Sequence, residues 1–98
     1  MTYRELYLKL LGYAPMEISD RFVKEGAYDN SGMILETKRE IKTAVFCLDL
    51  TGASVNYAVS VGADAIITHH PAIYRPVKNL LADAPLLTAA NAGIGVIS

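Results

Sequence analysis

The chain has 98 residues, 52% of them hydrophobic and 19% charged, which suits one compact domain or part of one and is too apolar for a disordered tail. Nine basic residues against ten acidic ones give a net charge of −1, so binding to duplex nucleic acid is disfavoured. No apolar run approaches the roughly 18 to 20 residues that span a bilayer, and Glu5, Lys9 and Gly12 interrupt any signal-peptide core, so a cytoplasmic protein without a membrane partner is expected.

The first helix is expected from about Thr2 to Leu11. Thr2 and Glu5 have capping-box spacing, and Tyr3, Leu6, Tyr7 and Leu10 recur at helical intervals. Residues 14–31 show no clear period and read as a long loop, with a helical turn around Ser19 to Lys24. Met33-Ile34-Leu35 and the run Thr43 to Leu48 then read as two strands. They are expected to pair as a hairpin, the second strand being buried on both faces.

From Thr51 a helical pattern returns, capped by Thr51 and stopped by Gly62. Ala65-Ile66-Ile67 is the next buried strand, followed by His69-His70-Pro71 and a loop to about Ala82. Asp83-Ala84-Pro85 reads as a helix cap with proline in the first turn, Gly93 as the helix end, and Ile94 to Ile97 as a last strand. The fold class is α/β: a mixed sheet with a parallel βαβαβ core, preceded by an N-terminal helix and a hairpin.

Charge is unevenly spread. Residues 1–42 hold fourteen charged side chains and residues 43–98 only five. A half so poor in charge expects cover from another subunit or from a further part of the same fold. Gly95-Val96-Ile97-Ser98 lies within an apolar run, so residues 1–98 are read as a single partial domain, and a homo-oligomer is expected.

In an open α/β sheet, ligands gather beyond the carboxyl ends of the parallel strands. Asp49 is expected there, with Thr68, His69 and His70 at the end of the neighbouring strand. Asp64 falls at the opposite end. His69 and His70 are the chain's two histidines and its strongest chemical signal. Extended neighbours point to opposite sides, so two ions, each taking one ring, fit better than one ion taking both. The alternative is a pair of partly exposed loop histidines. Asp49 is a candidate ligand or an acceptor that orients a histidine, or simply a residue leading into the helix at Thr51. Asp29-Asn30-Ser31-Gly32 reads as a functional loop or an ordinary turn. Arg75 and Lys78 are candidate contacts for a small anionic substrate, or solvated cations. Cys47, between Phe46 and Leu48, reads as core. The catalytic residues are not identified by these patterns.

Asp29-Asn30-Ser31-Gly32, Leu48-Asp49-Leu50-Thr51, the stretch from Gly62 to Pro71 containing Thr68-His69-His70-Pro71, and Arg75-Pro76 occur in the order and spacing of one family. The chain resembles the NGG-one-interacting-factor-three family, whose bacterial members are called GTP cyclohydrolase I type 2 homologues. The resemblance covers about residues 28 to 98, and loosely the N-terminal helix. Tyr28 stands where the family usually has tryptophan. The resemblance implies two divalent metal ions per complete site, with zinc, manganese and iron undistinguished, and ring-like oligomers. It makes His69 and His70 metal ligands, one for each ion. It places the other ligands in a His-Thr-Asn-x-Asp motif and a more distant His and Glu, all beyond Ser98. The chain then reads as the N-terminal part of a metal-dependent, hydrolase-like protein, binding metal weakly or not at all and inactive by itself. A non-catalytic metal-dependent scaffold or interaction protein is the alternative. A self-contained α/β domain with incidental histidines is a third reading.

Overall fold

The computed structural model describes residues 1–14, 30–73 and 79–98. In chain order they form α1 (Tyr3–Leu11), β1 (Met33–Leu35), β2 (Ala44–Cys47), α2 (Gly52–Ser60), β3 (Ala65–Thr68), α3 (Pro85–Asn91) and β4 (Gly95–Ile97). The helical turn expected around Ser19 to Lys24 lies outside the described residues.

Local chemistry sets the helix starts. Thr2 Oγ1 accepts from the Glu5 N–H at 3.1 Å, and Glu5 Oε1 accepts from the Thr2 N–H at 3.2 Å. Thr51 and Ser54 repeat this reciprocal box at the start of α2. The cap expected at Asp83-Ala84-Pro85 is corrected: the third helix has no side-chain cap. Its N-cap is Ala84, with no side-chain hydrogen bond, and Pro85 occupies the first turn, where a missing N–H costs nothing.

The four strands lie in the order β1-β4-β3-β2. Strands β2, β3 and β4 run parallel, with Val45 opposite Ile66 and Ile66 opposite Val96. The two central strands are buried along their whole lengths. Ile66 and Val96 turn to one face, where Val55 and Ala58 of α2 and Ala89 of α3 cover them. Ala65, Ile67 and Ile97 turn to the other, against Tyr3, Leu6, Tyr7 and Leu10 of α1. Tyr3 is 1% exposed, and its hydroxyl donates to Val96 O at 2.7 Å, tying α1 to a central strand.

The expected hairpin is corrected. Strand β1 pairs antiparallel with β4, with Met33 opposite Ile97, and stands at the far edge of the sheet from β2. Residues 36–43, polar except for the buried Ile41, are long enough to cross the three inter-strand gaps, about 14 Å, at the amino ends of the parallel strands. They are fastened on the way. Thr37 Oγ1 donates to Gly93 O at 2.9 Å, Arg39 Nη2 to Ala92 O at 2.8 Å, and Lys42 N to Asp64 Oδ2 at 2.9 Å.

The expected double-sided burial of β2 is corrected as well. This strand is an edge. Val45 and Cys47 pack toward α2 and α3, and Ala44 toward α1, but Phe46 is 70% exposed and Leu48 64%. Its apolar run reflects one covered face and one partly open face, which composition cannot separate. Among the described residues no helix is long and apolar enough to cross a membrane.

Candidate functional site

The carboxyl ends of β2 and β3 bring Asp49 and His70 together. His70 Nδ1 lies 2.8 Å from Asp49 Oδ1, with both side chains more than half exposed. A carboxylate only accepts, so Nδ1 carries the donated proton. In the neutral imidazole that leaves the Nε2 lone pair free for a Lewis acid.

The backbone explains why the histidines sit close. The N–H groups of His69 and His70 donate to Cys47 O at 2.9 Å and Leu48 O at 2.8 Å. In a regular strand, successive N–H groups face opposite ways. Here both reach the end of β2, so the chain leaves extended geometry after Thr68. The two rings consequently stay 5.1 Å apart, tilted by 52°.

Thr68 is 4% exposed. Its hydroxyl donates to His70 O at 2.7 Å and lies 2.7 Å from Ser98 Oγ. Ser98 Oγ also accepts from the Ala72 N–H at 3.0 Å. Asn30 Nδ2 donates to Ile73 O at 2.7 Å. The N–H and C=O of Gly32 exchange hydrogen bonds with those of Ser98, at 2.9 and 3.0 Å, which brings the Asn30 loop to this edge. A shallow hollow of about 440 Å³ beside His69 is lined by Phe46, Cys47, Leu48, Ile67 and Thr68. Cys47 packs against the core on the α2 and α3 side.

Asp49, Thr68, His69, His70 and Asn30 therefore share one edge. Asp29, Arg75 and Lys78 lie outside the described residues. Asp64 stands at the opposite end, accepting from Lys42 N at 2.9 Å and Thr43 N at 3.1 Å. The Lys42 N–H, first among its donors, holds its carboxyl below the ordinary range. The linking role of Ser98 was not legible in the sequence, since its partners are set by strand pairing and no local motif marks it.

The donors suit a divalent metal in chemistry: two exposed imidazoles, one braced by a carboxylate. They do not complete a coordination shell. Among the described residues no group of three His, Cys, Asp or Glu side chains converges.

The family model for Duf34/NIF3 (NGG1p interacting factor 3) matches residues 1–98. The chain belongs to the Duf34/NIF3 family. Its curated relatives include a GTP cyclohydrolase 1 type 2 homolog of Halalkalibacterium halodurans, 32% identical over 56% of this chain and 15% of that protein. Another, from Clostridium perfringens, is 32% identical over 65% of this chain and 24% of its own length. The matched region thus spans a quarter or less of these relatives. Among solved structures, Staphylococcus aureus protein SA1388 superposes over all of this chain and 28% of its own, with a TM-score of 0.82 and 27% identity. Reduced HcgD from Methanocaldococcus jannaschii does so over all of this chain and 39% of its own, with a TM-score of 0.79 and 25% identity. The Duf34/NIF3 fold thus extends over the whole chain.

Proposed function

We propose that this edge of the sheet is one part of a dinuclear metal site, and that the Duf34/NIF3 protein containing it performs metal-dependent, hydrolase-like chemistry. The observation that carries the reading is the 2.8 Å contact between His70 Nδ1 and Asp49 Oδ1, the arrangement by which a carboxylate orients a metal-binding imidazole. His70 would offer Nε2, with Asp49 holding the ring and its tautomer. His69, on the neighbouring ring, would serve the second ion. A divalent ion in such a site supplies Lewis-acid chemistry of the kind hydrolysis uses.

Two neutral imidazoles bring no charge to offset two divalent cations, and Asp49 adds a single carboxylate. Catalytic ions generally take about three protein ligands each. The remaining ligands in this reading come from outside the 98 residues. The relatives' name speaks of GTP cyclohydrolase; for this chain the proposal goes no further than hydrolase-like chemistry on a small anionic substrate.

Titration calorimetry with zinc and with manganese tests the reading, on the parent chain and on a His69→Ala/His70→Ala double variant. The expected result is weak or absent binding in the parent, any binding being lost in the double variant, with no substantial hydrolysis. Binding that survives the double variant overturns the site. Two tightly bound ions per chain would show the site complete without further ligands. An open coordination position in a metal-loaded structure supports an enzyme, whereas a closed shell favours a scaffold.

Self-association belongs to the same proposal. The edge strand β2 exposes Phe46 and Leu48, and uncovered strand edges tend to pair. Sedimentation at high protein concentration is expected to show a dimer or larger, and a clean monomer refutes it.

A further inference from the structure

Pro71 interrupts the histidine loop and contributes no N–H. The polar backbone groups on either side of it, His70 O and Ala72 N, are both taken by hydroxyls from strand ends. Thr68 has one hydroxyl proton, and it goes to His70 O. The 2.7 Å contact between Thr68 and Ser98 must then use the Ser98 proton, with Thr68 Oγ1 accepting. Ser98 Oγ is left to accept from Ala72 N, as its 3.0 Å contact requires. The direction of every bond is therefore determined: Ala72 N–H to Ser98 O–H to Thr68 O–H to His70 C=O. The chain starts and ends on the same loop and passes through two strand ends. Head-to-tail chains of this kind strengthen one another in a shielded interior, and Thr68 is buried.

We propose that Thr68 and Ser98 are positioning residues that set the geometry of the histidine pair through this relay. The proposal rests on the reading of His69 and His70 as metal ligands. The His70 backbone is held at its N–H by Leu48 O and at its C=O by Thr68, so the direction of its Cα–Cβ bond is fixed. Asp49 then needs to fix only the ring. The β-branched Thr68 side chain is stiff about χ1, which suits an anchor. Asn30, through Ile73 O, braces the far end of the loop.

The test uses the metal-free 98-residue chain and three variants: Thr68→Val, Ser98→Ala and Thr68→Ser. Amide hydrogen exchange at Ala72 and nitrogen NMR of the His70 ring are the primary readouts. Thr68→Val and Ser98→Ala are expected to speed Ala72 exchange about tenfold while the Ile66 and Val96 amides keep their protection. Thr68→Val is also expected to weaken the His70 Nδ1–H signal, and Thr68→Ser to restore both readouts. Unchanged Ala72 exchange in both disrupting variants, or no rescue by serine, overturns the relay. Zinc alone is then added to parent and variants, with the histidine signals followed. Thr68→Val is expected to lower zinc affinity about tenfold. Zinc that shifts the histidines with equal affinity in parent and Thr68→Val overturns the positioning role and leaves the site reading standing. Zinc held as tightly by the His69→Ala/His70→Ala double variant as by the parent overturns the site reading, and where the parent holds no zinc, Ala72 exchange alone decides the relay.

Discussion

His70 and Asp49, twenty-one residues apart in sequence, face each other across the ends of two parallel strands with 2.8 Å between Nδ1 and Oδ1. The pair is exposed, so its worth for folding is small, about 0 to 1 kcal/mol. Its value lies in orientation. Asp49→Ala is expected to shift thermal stability little, within about 0.5 kcal/mol, and to weaken zinc binding roughly 10- to 100-fold. Melting curves beside zinc titrations check both halves. Unaltered zinc affinity would remove the orienting role.

Tyr3 carries a second prediction. Burial pushes its phenol up to about 12, because the charged form would lie against the sheet. The unfolded value is about 10. The stability linked to this shift is whole below about pH 10 and drains away as pH rises toward 12, since the unfolded chain releases the proton first. Tyr3→Phe removes that alkaline slope and costs about 1 kcal/mol at neutral pH through the lost bond to Val96 O. Denaturant titrations at pH 8 and above pH 10 separate the two effects.

Asp64 behaves oppositely. Its folded carboxyl is held below the ordinary range, chiefly by the Lys42 N–H. The resulting stability is present above the unfolded value, near 3.9, and is lost as pH falls through the lower folded value. Asp64→Ala should destabilise by about 0.5 to 1.5 kcal/mol at pH 7, since the exposed Lys42 and Thr43 N–H groups exchange their carboxylate acceptor for water. It should flatten the acid limb and leave zinc binding untouched. Weaker zinc binding in this variant would contradict the separation of the two sheet ends.

Gly95 is needed for space. A Cβ there would come within 2.8 Å of Tyr3 Cδ2 and 2.9 Å of Thr37 Cγ2. The ring cannot retreat without giving up its bond to Val96 O. Gly95→Ala is expected to cost about 1 to 3 kcal/mol, the usual range for overpacking. In Tyr3→Leu the same change should cost less, and a double-mutant cycle on chemical denaturation measures the coupling.

Much of the architecture was written locally. Thr2 with Glu5 announced α1, and Thr51 announced α2, because a capping hydroxyl acts within one helical turn. Ala65-Ile66-Ile67, an apolar run between Asp64 and Thr68, marked a doubly buried strand. The parallel order of β2, β3 and β4 followed from their separation by helices. From that order came the placing of Asp49, His69 and His70 at one end and Asp64 at the other.

Other features depend on contacts between distant residues, which no local period encodes. Met33 lies opposite Ile97 while residues 36–43 are pinned at the amino ends of the parallel strands through Arg39 and Asp64, and nothing in the strand run itself distinguishes that edge from a hairpin partner. Phe46 is apolar yet exposed because β2 closes the sheet on that side. The Tyr3 hydroxyl reaches Val96 O across ninety-three residues. The histidines were visible as donors, but the His70–Asp49 distance and the Thr68–Ser98 link arose only when strand register set side chains from separate segments within hydrogen-bond reach. Capping and apolar periodicity act over a few bonds and can be read along the chain; register and edge order are decided by which faces the assembled layers can bury together.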